Sequence, residues 1–283
     1  MISNKVLLAT DFSETAKKLI NCLDELKGLG IDEVILTHVI NVHRSKIVNV
    51  EQLKESNREK LEKVKEKIEA KGFKVKIKIP VGFPASEINK VARGENVALI
   101  LIASHGEGFI KKVFLGSTTY DLIRQSKRPV LIEKYENIEG EAQVACSRKF
   151  NKVLVPIDFS DCSKAAIEFL REIEENNFNE VILLNVIESS RSIDDLEKEK
   201  TRAEVKLKEI AKNLRKNGSV DNIIVKVAEG AASNNIIDIA REEKVGLILM
   251  PRTGRGNIKE LLLGSTSDRV AKESPIPVLL ISC

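Results

Sequence analysis

The chain has 283 residues, 42% of them hydrophobic and 31% charged, with a net charge of +4 at pH 7. That length has room for roughly two domains, each burying its own core, and the composition excludes a disordered chain, which would be poorer in apolar side chains. Both signs of charge are mixed along the chain, so no basic stripe points to nucleic acid, and the densest apolar run, residues 97–103, is far shorter than the roughly 20 residues of a membrane span.

Residues 1–6 lead straight into a strand pattern with no cationic, apolar and small-residue leader, so a cytoplasmic location is expected. In chain order, the first half then reads as strand 6–9, helix 14–29, strand 34–39, helix 51–71, and strands 75–79 and 97–103. A glycine loop, helix 119–125 and strand 130–132 follow. The strands are short apolar runs without clean alternation, as expected of strands buried on both faces in a mainly parallel sheet between helix layers. Helix 14–29 carries Ala16, Leu19, Ile20, Leu23 and Leu26 near helical spacing. Helix 51–71 carries Leu53, Leu61, Val64 and Ile68 on one face, with Glu and Lys elsewhere, the pattern of a solvated outer helix.

After a polar stretch, residues 134–149, the pattern returns. Val6-Leu-Leu-Ala-Thr-Asp-Phe-Ser13 is answered by Val153-Leu-Val-Pro-Ile-Asp-Phe-Ser160, and Val34-Ile-Leu-Thr-His-Val-Ile40 by Val181-Ile-Leu-Leu-Asn-Val-Ile187, both at an offset of 147. The later blocks match at 148, Leu115-Gly-Ser-Thr118 with Leu263-Gly-Ser-Thr266 among them, so one residue is gained where a loop absorbs it. The counterpart of helix 51–71 carries Ala203, Leu207, Ile210, Ala211 and Leu214. The chain therefore reads as a tandem duplication: domain 1–136, linker 137–149 and domain 150–283. Each domain is expected to be α/β and doubly wound, with a five-stranded parallel sheet.

Cys22, Cys146, Cys162 and Cys283 lie far apart without a Cys-x-x-Cys pair, so zinc and redox motifs lack their spacing and free thiols are expected. In open parallel sheets, ligands sit beyond the carboxyl ends of strands where the strand order reverses. Two segments of each half reach such an end. The first is the turn after strand one, Ala9-Thr10-Asp11-Phe-Ser13 and Pro156-Ile157-Asp158-Phe-Ser160. Ser13 and Ser160 are placed as helix N-caps. Asp11 and Asp158 have two readings, local turn chemistry or acceptor for a ligand donor such as an adenine amine. The second segment runs from Ala103-Ser-His105-Gly106-Glu-Gly108 to Gly116-Ser117-Thr118, and from Pro251-Arg252-Thr-Gly254-Arg-Gly256 to Gly264-Ser265-Thr266. Glycine admits backbone close to a ligand, and N–H groups at a helix start attract phosphate; tight turns and helix capping would need the same residues.

No Gly-x-x-x-x-Gly-Lys-Ser/Thr occurs, and Lys111 and Lys259 fall where a third dinucleotide-binding glycine should be, so P-loop and Rossmann dehydrogenase readings fail. Over essentially both halves the chain resembles the universal stress protein family in a tandem two-domain form. That family's nucleotide-binding members carry Gly-x-x-Gly, nine residues, then Gly-Ser/Thr. Here Gly106 and Gly254 fill the second glycine position, and Gly116-Ser117 and Gly264-Ser265 complete the motif with the gap kept.

The resemblance further implies the adenine nucleotide alpha hydrolase-like fold, an Asp against the adenine (Asp11, Asp158), and base contact through the backbone of Val39 and Val186. It also implies pairing of the last strands, which packs the halves as a pseudo-dimer, and it adds a homodimer to the expectations. The nucleotide-contacting candidates are thus Ala9, Thr10, Asp11, Val39, Ala103, His105, Gly106, Gly116, Ser117 and Thr118. Their C-half counterparts are Pro156, Ile157, Asp158, Val186, Arg252, Gly254, Gly264, Ser265 and Thr266.

Two departures stand out. Ala103 and Pro251 replace the first motif glycine, and Pro has no N–H to offer; the N-half also has Ala9 where the C-half keeps Pro156-x-Asp158. The N-half is therefore expected to bind more tightly. His38 reads as a satisfied, partly buried side chain, His43 as solvated, and His105 as a phosphate donor; no catalytic set can be assembled. The expected function is ATP or AMP binding by a regulatory protein of the stress response, with Mg²⁺ accompanying a triphosphate, an unidentified protein partner and at most slow ATP hydrolysis. The alternatives are an interaction module that keeps the fold without the ligand, and an enzyme transferring adenylyl or phosphoryl groups from ATP.

Overall fold

The computed structural model describes residues 3–41, 49–104, 115–138, 141–144, 148–172, 178–188, 193–216, 220, 222–254 and 263–283. The chain divides into two compact units, Met1–Ala145 and Cys146–Cys283.

The first unit runs β1 (Lys5–Ala9), α1 (Glu14–Lys18), α2 (Leu23–Leu26), β2 (Glu33–Thr37), α3 (Val50–Glu69), β3 (Lys74–Lys78), α4 (Pro84–Gly94), β4 (Leu99–Ala103), α5 (Ser117–Gln125) and β5 (Val130–Glu133). A hairpin, β6 (Tyr135–Ile138) with β7 (Glu141–Val144), follows. The second unit runs β8 (Lys152–Pro156), α6 (Asp161–Glu172), β9 (Glu180–Ile187), α7 (Ile193–Lys216), β10 (Ile223–Glu229), α8 (Ala232–Glu242), β11 (Leu247–Pro251), α9 (Ser265–Glu273) and β12 (Val278–Ile281).

Both units carry the expected doubly wound sheet of five parallel strands. Its order is β5-β4-β1-β2-β3 in one unit and β12-β11-β8-β9-β10 in the other. The registers repeat as the sequence does: Val6 pairs Val34 and Leu99, and Val153 pairs Val181 and Leu247. The order reverses between β1 and β4, and between β8 and β11, which opens a crevice at the carboxyl ends of those strands. The central strands are fully buried, Val6, Leu7 and Leu8 in one unit and Val153, Leu154 and Val155 in the other, as their unbroken apolar runs require. β3 lies at the end of its sheet and interleaves Lys74, Lys76 and Lys78 with Val75 and Ile77.

Several boundaries differ from the sequence pattern for identifiable reasons. The strand expected from residue 97 begins at Leu99, because Asn96 takes φ 52° and Val97 N–H still bonds the Ala92 carbonyl of the preceding helix end. The helix expected over 14–29 alternates α-helix with 3₁₀ turns at Leu19–Cys22 and Lys27–Leu29. Its face is kept, since Ala16, Leu19, Ile20, Leu23 and Leu26 are all buried. The polar stretch after residue 134 holds the antiparallel hairpin, pairing Tyr135 with Val144.

The free-thiol expectation is corrected for two cysteines. Cys162 and Cys283 form a disulfide across 121 residues of sequence. No local motif announces it; the fold does it, by placing the start of α6 beside the end of β12, with Cα atoms 5.1 Å apart. Cys22 is a buried thiol, and Cys146 lies outside the described residues.

Candidate functional site

The site begins in the turn after the first strand of each unit. Asp11 Oδ1 accepts from Ser13 N–H at 3.0 Å, and Asp158 Oδ1 accepts from Ser160 N–H at 3.0 Å. Each turn swings its phenylalanine to positive φ, 65° at Phe12 and 61° at Phe159. A bulky residue there costs roughly 1–2 kcal/mol, and it recurs in both copies, so the turn is held by its surroundings. Ser13 caps α1 by accepting from Ala16 N–H at 3.2 Å, and Ser160 Oγ accepts from Ser163 N–H at 3.3 Å at the start of α6. The local-turn reading of both aspartates is therefore correct for one carboxylate oxygen.

The second strand supports this turn from behind. Asn185 Nδ2 donates to the Ile157 carbonyl at 2.6 Å, and its repeat partner His38 places Nδ1 2.9 Å from the Thr10 carbonyl. A carbonyl only accepts, so Nδ1 carries the hydrogen. The His38 ring stacks on Phe12 with centroids 4.3 Å apart. Burial lowers the His38 pKa from its ordinary value, against the smaller opposing pull of the Thr10 carbonyl and Asp11. His38 is thus a satisfied structural histidine, as the sequence suggested.

The glycine loop closes against the fourth strand in the same way in both units. Gly116 N–H bonds the Ser104 carbonyl at 2.8 Å, and Gly264 N–H bonds that of Arg252 at 2.9 Å. Thr119 Oγ1 and Ser267 Oγ donate to the Ala103 and Pro251 carbonyls, each at 2.9 Å, tying helix to strand end. Gly116 and Gly264 occupy the N-cap positions of α5 and α9, where they supply no side chain to the first-turn N–H groups. Ser117 and Ser265, exposed in the first turn, and the half-exposed Thr118 and Thr266 stand beside those groups. Such a helix start favours an anion.

In the second unit these pieces surround a cavity of about 670 Å³. Its lining includes Pro156, Ile157, Asp158, Val186, Gly254, Gly264, Ser265 and Thr266, so every C-half candidate except Arg252 meets in one place. Arg252 is buried with its N–H bonded to the Ile281 carbonyl. Gly254 faces Asp158 so closely that a Cβ would sit 2.6 Å from Oδ2, which accounts for glycine at that position. The Pro251 departure also has a defined place. Arg252 donates toward β12, so by strand alternation residue 251 turns its nitrogen toward β8, beyond the last β11–β8 pair at Ile248–Leu154. The amide that proline lacks is one that would face the crevice.

Sequence reasoning did not name the outer wall. Leu196, Glu199, Arg202, Ala203 and Lys206 of α7 line the cavity, and Lys206 Nζ lies 5.0 Å from the Phe159 ring centroid. In the first unit Lys60 of α3 stands 5.4 Å from the Phe12 ring. The repeated Asp-Phe-Ser was the available signal for these rings. Of the N-half candidates, Ala9, Thr10 and Asp11 end β1, Val39 follows β2, Ala103 ends β4, and Gly116, Ser117 and Thr118 open α5. His105, Gly106, Gly108, Lys111, Gly256, Lys259 and His43 lie outside the described residues.

The universal stress protein family model matches residues 3–134 and again residues 149–282. Universal stress protein MJ0577 of Methanocaldococcus jannaschii is 36% identical over 155 residues, 47% of this chain and 96% of that protein. Universal stress protein YxiE of Bacillus subtilis is 29% identical over 147 residues, 47% of this chain and 99% of that protein. The crystal structure of a universal stress protein from Archaeoglobus fulgidus, 28% identical, covers 99% of this chain and 98% of its own, with a TM-score of 0.73. Single-domain relatives thus match one repeat, and the family model accounts for both. With two consecutive domains of this kind, each built on the same strand order and the same glycine loop, the chain belongs to the universal stress protein family.

Proposed function

We propose that this chain binds an adenine nucleotide, ATP or AMP, in the second-unit cavity and at the equivalent place in the first unit. It would act as a cytoplasmic, homodimeric regulatory protein of the stress response. The observation that carries the reading is the convergence on one cavity of the Asp158 turn, Gly254 and the glycine-capped start of α9. Asp158 would accept from the adenine amine, and Val186 would meet the base through its backbone. Ser265, Thr266 and the first-turn N–H groups of α9 would hold phosphate. Arg202 and Lys206 add positive charge to the same wall. Mg²⁺ would enter with a triphosphate; among the described residues no three acidic, His or Cys side chains are grouped to hold a metal. Any ATP hydrolysis is proposed to be slow.

One observation favours a second reading, the interaction module without ligand: Pro251 removes an amide on the crevice side of β11. The same observation supports tighter binding in the first unit. The test is to purify the protein without added nucleotide, denature it, and separate the supernatant against ATP, ADP and AMP standards. Adenine nucleotide at two per chain is the expected result, and one per chain would mean a single working site. If none is released and titration with ATP and AMP shows no heat, the interaction module replaces this reading.

A further inference from the structure

The Cys162–Cys283 disulfide belongs to the second unit alone. Its repeat positions in the first unit are Thr15 and Tyr135. Its place matters more than its presence. Cys162 is the second residue of α6, on the turn whose other members bind Asp158: Ser160 and Ser163 both donate to Asp158 Oδ1. Cys283 stands two residues beyond β12 and is exposed. Thr253 sits against the bonded pair, its Oγ1 3.3 Å from Cys162 Sγ and 3.2 Å from Cys283 Sγ. Thr253, Gly254 and Asp158 all line the cavity, and a Cβ added at Gly254 would sit 2.6 Å from Asp158 Oδ2. The disulfide therefore fastens the start of α6, next to the Asp158 turn, to the chain just beyond β12, and the Thr253 hydroxyl sets the start of the glycine loop against both sulfurs.

We propose that the Cys162–Cys283 disulfide is a reversible redox modification site that sets the affinity of the second-unit cavity for adenine nucleotide. The inference rests on the nucleotide reading above. In the oxidised form, the cavity wall is preorganised, and binding loses little further freedom. In the reduced form, the start of α6 and the chain beyond β12 are no longer tied together, and binding has to order the wall beside them.

The exchange is a two-electron reduction by a dithiol. A thiolate of the reductant attacks Sγ of the exposed Cys283, a mixed disulfide forms, and Cys162 leaves as a thiolate that takes a proton from water. The N-terminal turn of α6 stabilises that leaving group. The second thiol of the reductant, having given up its proton, attacks its own mixed-disulfide sulfur. It releases Cys283, which is protonated in turn, and the reductant departs as a disulfide.

The experiment uses the full chain, purified without reductant and then divided into untreated and dithiothreitol-treated samples. Alkylation of the native protein followed by intact mass counts the thiols, and calorimetric titration with ATP and with AMP measures both sites. Reduction is expected to add two alkylated thiols and to weaken one site five- to tenfold, leaving the other unchanged, with reoxidation restoring the first. Cys283→Ser should show the weak site under both conditions; the wild-type reoxidation step stands alone if that variant does not fold.

Equal affinities in the two forms, with the two added alkyl groups seen, overturn the proposal. So does a bond that dithiothreitol opens only after unfolding, or a purified protein that already exposes both thiols. If the oxidised protein binds no adenine nucleotide, the nucleotide reading itself falls and the proposal with it. That outcome is distinct from equal binding.

Discussion

The two strand-one turns share a backbone and are held by different side chains. In the first unit, Asp11 accepts from Ser13 N–H, and His38 supports the turn with an imidazole that also stacks on Phe12. In the second, Asp158 accepts from Ser160 N–H, Ser160 Oγ and Ser163 Oγ, while Ser163 Oγ accepts from Asp158 N–H at 3.1 Å. The position of Ser163 is held in the first unit by Ala16, which has no hydroxyl. Asn185 replaces the histidine with a single amide donor. What the duplication preserved is therefore the turn, its positive φ and its aspartate, while the bracing around them changed. A feature kept under two different braces is better evidence of use than one kept under the same brace.

Gly254→Val breaks this comparison most sharply. A Cβ at 254 would lie 2.6 Å from Asp158 Oδ2, so the loop or the carboxylate must move. Second-unit nucleotide affinity is expected to fall at least about 100-fold, roughly 3 kcal/mol, and bound nucleotide to drop by one per chain. Calorimetric titration reads both. Unchanged stoichiometry and affinity would remove the cavity from consideration.

A smaller effect follows from the bracing itself. Asp158→Ala strands three donors at a partly buried turn and should cost about 1–3 kcal/mol of stability. Asp11→Ala, which removes the acceptor of Ser13 N–H at an exposed position, should cost about 0.5–1 kcal/mol. Urea unfolding of the two variants gives the ordering, and equal losses would mean that the Ser160–Ser163 network contributes nothing.

How much of this could be read in advance depended on whether the signal was local. The duplication, the parallel sheet and the identity of the glycine-loop and aspartate positions were legible, because repeats and buried apolar runs are properties of contiguous sequence. Helices α4 and α8 carry the same kind of signal, with Ile88 and Ala92, and Ile236, Ile237 and Ala240, on their buried faces. Even so, they were not assigned from the sequence. The disulfide was illegible, since Cys162 and Cys283 come together only once α6 and β12 are in place. The α7 wall was illegible for a related reason: Arg202 and Lys206 look like any other charges on a solvated helix until the adjacent Ala203 and Leu207 are buried and turn them toward the cavity. The roles of His38 and Asn185 needed the register of β1 against β2 and of β8 against β9, which puts each opposite the turn it supports.

The least disruptive test exchanges those two supports. In the folded state, burial lowers the His38 pKa from its ordinary value of 6.5, so the unfolded chain binds this proton more readily than the folded one. Stability from neutral His38 is therefore fully present above about pH 6.5. It is lost as pH falls from there toward the lowered folded value, because each step of acidification favours the state that takes up the proton. His38→Asn introduces the amide that the second unit already uses at Asn185 to donate to the equivalent carbonyl. The variant should keep most of the stability at pH 8, giving up the stacking on Phe12 but not the hydrogen bond, and should lose the part of the pH dependence below about 6.5 that His38 supplies. Urea midpoints at pH 8, 6.5 and 5 compare the slopes. Parallel slopes for wild type and variant would show that His38 does not hold its turn as a neutral donor, and the equivalence of the two braces would fail with it.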